Sequence, residues 1–345
     1  FVASAAAPGR AGNAADGATR TYRVRQTTAL ERIPEGARRI RWWVSIPNED
    51  PGQTLLDFEV LSAPGPWRIV RDAARSQQFL LVEVESPGHA RLEVTCAFTL
   101  RRRAVHVALD PDRTGAITET HRRLFADDLR RDTPHLEVTP EIQGRAEALC
   151  GEETNVARQA RLLLEHVADT ADHYSKDPSM PRCGVGDATA CVAQGGGCCT
   201  DLHSLFVALA RARGIPARLA MGYRLQARDE GREVDPGYRC WAEYFVPGSG
   251  WVPADIVEAD APDGAGRDPW FTGLTARRLL LNRGREFVLD PGMAPVGTMS
   301  IGYALIDGAP ARALPEGTLE PQLTRRVLFT EVARDAAALA AAAAR

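Results

Sequence analysis

The residues of this chain best suited to chemistry are a cysteine at the head of a helix and an aromatic hairpin further along. The run CTDLHSLFVALARARGIPAR sets Leu202, Leu205, Phe206 and Leu209 in a helical stripe. Asp201 falls in the first turn, and Gly214 and Pro216 stop the helix. The pattern predicts a helix that begins at or beside Cys199. A thiol in that position meets unpaired backbone N–H groups and the positive end of the helix dipole, which favour thiolate over thiol. Cys199 is therefore the leading nucleophile candidate. Gly195, Gly196 and Gly197 before it permit a tight backbone path, although three glycines also describe a flexible loop feeding a helix.

The second stretch, GYRCWAEYFVPGSGWVPAD, spans 237–255 and reads as two strands joined by a Pro-Gly-Ser-Gly turn. A segment of this kind can bring a base and its orienting carboxylate to a nucleophile, yet it contains no histidine. Arg239 stands where a base is wanted. A guanidinium stays protonated and offers only donors, so it cannot shuttle a proton near neutral pH. It could hold a thiolate by charge, fork onto Asp255, or bind a carboxylate ligand. His203 is the nearest candidate base, because residues i and i+4 share a helix face; a structural role is its plainer reading. Cys240 alternates to the strand face opposite Arg239 and reads as core. Trp241, Glu243 and Trp251 read either as a cross-strand frame with an arginine-paired carboxylate or as walls of a substrate channel.

These elements need a scaffold, and the composition supplies one. The chain has 345 residues, 44% hydrophobic and 25% charged, enough for two domains with real cores. A formal net charge of -3 leaves no electrostatic footprint for nucleic acid, and no window is long and apolar enough for a membrane span. Residues 1–19 are small, alanine- and glycine-rich and nearly free of large side chains, and they read as a tail. Ala3-Ser4-Ala5 has the form of a signal-peptidase site, which points to export, while a trimmed start explains the same residues. From 20 to 105 the apolar residues alternate, as in Ile40, Trp42, Val44 and Ile46, with Pro-Gly breaks between short runs. This predicts an antiparallel β-sandwich. After Asp110-Pro111 the pattern becomes helical: Val156, Ala160, Leu163, Leu164 and Val167 mark a core-packed helix. The reading places a second domain over 106–310 and an extension over 311–345.

The remaining histidines and cysteines carry plainer readings. His89 follows a Pro-Gly turn, and His166 and His173 ride on or just past the helix, where surface or capping roles account for them. Seven cysteines cannot all pair. None are spaced as C-x-x-C, so no metal site is expected. A disulfide between Cys183 and Cys191, or one engaging Cys198, requires export and then stands level with free thiols.

Together, the run GGGCCTDLHSLFVALARARGIPARLAMGY and the later YRCWAEYFVPGSGWVPAD resemble the core of the transglutaminase-like superfamily, specifically bacterial members of papain-like fold. The resemblance is strong from about Leu162 to Asp290 and takes in the sandwich more weakly. It rests on Cys199 with Asp201, Gly214 to Arg218, Trp241 with Glu243, and Gly250, Trp251 and Asp255. It implies a Cys-His-Asp triad with Cys199 as nucleophile and Asp255 as its third member, and it puts Arg239 at the histidine position. The implied fold is α+β: an antiparallel sandwich, then a central helix packed on an antiparallel sheet. The implied activity is acyl chemistry on peptide or isopeptide amides through a Cys199 thioester, with no cofactor and a peptide or protein as partner. Arg239 keeps a second reading open, a non-catalytic relative that binds a peptide, cell-wall fragment or protein in the same groove. Substrate identity and oligomeric state have no signature in the sequence.

Overall fold

Alternation of apolar residues builds the first half of the molecule. The computed structural model describes residues 18–181, 186–261, 266–311 and 322–332; Ala3-Ser4-Ala5, Cys183 and the alanine-rich C-terminal run lie outside them. In the strand Leu92–Arg103 every second side chain from Leu92 to Arg102 is buried, the period-two signature of a half-buried strand. This strand lies between Thr19–Glu31 and Gln53–Ser62, and Thr19–Glu31 in turn pairs with Gln322–Val332. A second antiparallel sheet runs Ala309–Ala311, Gly302–Ile306, Arg39–Ser45, Gln78–Glu85, Trp67–Arg71. The two sheets face each other through Leu30, Val94 and Cys96 on one side and Trp42, Leu80 and Val82 on the other. Each large side chain buried this way contributes roughly 1.5–3 kcal/mol relative to exposure.

The sandwich thus takes strands from both ends of the chain and is not confined to 20–105. Within the stretch read from sequence as an extension, Gln322–Val332 is an edge strand of the first sheet. Its alternation is masked because the inward position 325 holds an arginine. Arg325 is buried, stacks over the Tyr223 ring at 4.6 Å, and donates to the Ser300 carbonyl at 2.9 Å and to Asp235 at 2.7 Å.

The second half is a central helix, Cys199–Ala212, packed on a four-stranded antiparallel sheet ordered Gly250–Ala254, Arg239–Val246, Ala217–Arg224, Arg278–Arg283. Helices Pro140–Cys150, Val156–Thr170 and Ala188–Gln194 share its core. All fourteen residues of the central helix are buried, so it is enclosed on every side and not only along the stripe Leu202, Leu205, Phe206, Leu209. Enclosure obliges its polar side chains to find partners. Ser204 donates to the Gly186 carbonyl at 2.6 Å, and Arg211 donates to the Ala217 carbonyl at 2.9 and 3.0 Å. The chain is accordingly an α+β protein with antiparallel sheets.

A buried chain of charges joins the two halves. Arg102 and Asp50 come from the sandwich, Arg283 pairs with both Asp50 and Glu243 at 2.8 Å, and Arg218 pairs with Glu243 at 2.8 Å. Burial would raise the Glu243 carboxyl, but Arg283 and Arg218 outweigh it and hold the group down at about 2.

Candidate active site

Cys199 is delivered by a short backbone device. Asp172–His173 and Gly196–Gly197 form a two-residue parallel pair, with His173 opposite Gly197. A β-carbon on Gly196 would lie 2.1 Å from the Asp172 carbonyl oxygen, and one on Gly197 would lie 2.6 Å from Asp201 Oδ2, so both positions exclude larger residues. Asp201 locks the turn, accepting from the Cys198 N–H at 2.9 Å and from the Asp187 N–H at 3.1 Å. Cys199 then opens the helix and lines a groove of about 450 Å³ with His173, Tyr238 and Arg239.

The thiol is not activated in the way the helix terminus suggests. Contact with Cys198 lowers its pKa, but contact with Cys240 and complete desolvation act the other way, and the net shift is upward. Cys199 is only 6% exposed. Arg239 is absent from the groups that dominate this balance.

His203 does not present itself as a base. Its Nδ1 lies 2.6 Å from the Cys199 carbonyl oxygen, and its Nε2 accepts the Ile256 N–H at 3.0 Å. The ring is therefore the neutral Nδ1–H tautomer with both nitrogens committed to backbone. Burial, the largest influence, pushes its pKa down. The i,i+4 spacing does bring His203 to Cys199, but to the carbonyl, which points along the helix toward the next turn.

Asp255 is held by a different arginine from the one the sequence suggests. It caps Ile256–Ala259 by accepting the Glu258 N–H at 3.2 Å, and its other oxygen accepts from Arg278 Nε at 3.0 Å and also from Nη2. Arg278 also reaches Glu258 at 2.8 Å. Burial would raise the Asp255 carboxyl, but Arg278 and then His203 bring it below the ordinary range. His203 Nε2 is 4.0 Å from Asp255 Oδ1. Cysteine, histidine and aspartate are thus neighbours without forming a proton relay.

Arg239 lines the groove at intermediate exposure, and its Nη1 donates to the Tyr238 carbonyl at 2.9 Å. The alternation placing Cys240 opposite Arg239 is present, but the opposite face is the one that meets the helix. Cys240 Sγ lies 3.4 Å from His203 Nδ1, and its thiol contacts that of Cys199.

The structure does not bring Trp241, Glu243 and Trp251 into this groove. Trp241 is fully buried against Ala220, Leu274 and Leu280. Glu243 sits in the charge chain described above. Trp251 packs on Phe125 and Phe245 beneath Arg218, whose guanidinium carbon is 3.8 Å from its ring centroid.

His173 is the site residue whose position the sequence reading misses. Its Nδ1 accepts from Ser175, N–H at 3.3 Å and hydroxyl at 2.7 Å, which leaves Nε2 carrying the proton. Burial, then the charges of Arg239 and His203, lower its pKa to about 4, so the ring is a neutral donor at pH 7. Its only sequence signal is its place before the glycine-rich loop, which does not reveal the parallel pairing. Among the described residues no cluster of His, Cys, Asp and Glu is arranged to hold a metal ion, and no helix is long and apolar enough to cross a membrane.

Residues 143–256 match the family model described as the transglutaminase-like superfamily. An uncharacterised protein of Haemophilus influenzae is 30% identical over an alignment of 210 residues that covers 52% of this chain; the chain spans only 56% of that relative's length. Among solved structures, a proposed cysteine protease from Cytophaga hutchinsonii superposes with a TM-score of 0.58 at 13% identity, covering 92% of each chain, a likeness of fold.

Proposed function

We propose, from the match of residues 143–256 to the transglutaminase-like superfamily model, that this chain is a thiol enzyme acting on peptide or isopeptide amide bonds through a Cys199 thioester, weakened by Arg239 at the position where the resemblance implies a histidine. The observation that carries this reading is the placement of Cys199 at the first turn of an enclosed helix, opening on a groove beside His173 and Arg239.

In this reading the Cys199 sulfur attacks the amide carbonyl and its backbone N–H helps hold the oxyanion. Neither Arg239 nor the two histidines nearest the site are free to take the thiol proton: Arg239 only donates, His203 is committed to backbone, and His173 presents Nε2–H. The proton passes to water or hydroxide. The C–N bond then breaks, the amine leaves with a proton from water, and water or a second amine resolves the thioester. Hydrolysis is the simpler outcome.

Amine release from peptide amides, compared among the native chain, Cys199→Ala and Arg239→His, tests the proposal. Release by the native chain that vanishes in Cys199→Ala supports it. Release that appears only in Arg239→His assigns the groove to binding instead.

A further inference from the structure

Four cations line the Cys199 groove, and three are neutralised. Lys176 pairs with Asp260, Arg224 with Glu258 at 2.5 Å, and Arg325 with Asp235 at 2.7 Å. Arg239 has no carboxylate partner among the described residues; its one hydrogen bond, at 2.9 Å, goes to the neighbouring Tyr238 carbonyl. Its charge is nonetheless felt across the groove, where it disfavours protonation of His173 and of Arg224. His173, kept neutral in part by Arg239, carries its remaining proton on Nε2, which has no partner among the described residues. The lining of the groove thus offers an uncompensated guanidinium and an imidazole N–H, both donors, together with the Cys199 thiol. Guanidinium presents a planar fork of donors that matches a carboxylate.

We propose that this groove selects acyl substrates bearing a free carboxylate close to the amide presented to Cys199, with Arg239 as the residue that binds it. The carboxylate belongs either to a peptide C-terminus or to an acidic side chain next to that amide. The position that carries a proton-transferring histidine in the family thereby becomes a specificity determinant. The proposal rests on the preceding reading for which bond is attacked, but not for binding of the carboxylate.

The test uses the full chain carrying Cys199→Ala, so that nothing turns over, and three N-acetylated probes: Ala-Gln-Ala with a free C-terminus, its C-terminal amide, and Ala-Glu-Ala amide. Calorimetry is expected to show at least about tenfold tighter binding of one carboxylate probe than of the Ala-Gln-Ala amide. Which probe wins identifies the source of the carboxylate. Adding Arg239→Gln should abolish that preference while leaving the amide unchanged, and Arg239→Lys should keep part of it. Equal binding of all three probes, or none at millimolar concentration, overturns the proposal. So does a preference that survives Arg239→Gln in a variant whose melting temperature matches its parent. A carboxylate preference in a native chain that never forms a Cys199 acyl adduct leaves this inference standing and removes the catalytic reading. Turnover indifferent to the carboxylate does the reverse.

Discussion

His203 Nδ1 is 2.6 Å from the carbonyl oxygen of Cys199, the residue one helical turn before it, and its opposite nitrogen receives the Ile256 N–H. The ring braces the first turn of the central helix against the start of the short helix that Asp255 caps. Replacing it with alanine leaves a buried N–H unpaired and a cavity behind, so His203→Ala should lower unfolding stability by about 2–4 kcal/mol. Urea denaturation measures that loss. Iodoacetamide labelling of Cys199 per folded molecule separates brace from base, since a brace leaves the rate unchanged and a base would slow it tenfold or more.

The upward shift of Cys199 sets a clear pH profile. A raised thiol pKa keeps the group protonated at pH 7 and releases thiolate only in the alkaline range, so labelling should be slow near neutrality and still climbing above pH 9. Because Cys240 contributes to the rise, Cys240→Ala should move the profile toward lower pH. A plateau below pH 7 in the native chain would contradict this account.

Acid stability depends on the buried histidines. The folded-state pKa of His173 lies at about 4, below its ordinary 6.5, so the unfolded chain binds a proton that the folded chain refuses between those values. Stability from this group is fully present above pH 6.5 and declines as pH falls toward about 4. His203, also shifted down, adds to the same trend. Melting temperatures over this range should fall, and the decline should be shallower in His173→Gln.

The pairing of Asp255 with Arg278 predicts an asymmetric result. Asp255→Asn leaves a buried guanidinium short of charge and should cost about 3 kcal/mol or more, whereas Asp255→Asn with Arg278→Met should recover part of that loss. Denaturant titrations of the two single variants and the double close the cycle. Additive losses would mean the pair is not coupled.

How far these features were readable depends on what each one required. Cys199 at a helix start and the hairpin ending at Asp255 follow from local period and punctuation, which sequence carries directly, while the α+β class was implied by the resemblance. Period two also separated Cys240 from Arg239, but it says nothing about which face of a strand another layer will cover. Contact between the Cys240 and Cys199 thiols therefore came only with the packing. Arg278 sits in the run ARRLLLNR, where no spacing relates it to Asp255; the fourth strand of the sheet brings them together. His173 was hidden by the shortness of its strand pair, two residues long, and Gln322–Val332 by the buried arginine at its centre.

The split origin of the sandwich has a consequence for biogenesis. Thr19–Glu31 is synthesised before the entire helical core, and Gln322–Val332, which covers its outer edge, only after it. Until then the early strand exposes a row of unpaired N–H and carbonyl groups, a template for pairing with another chain. In topological terms the helical core is an insertion within an all-β host, and premature termination before residue 322 would yield an open sheet edge prone to aggregation.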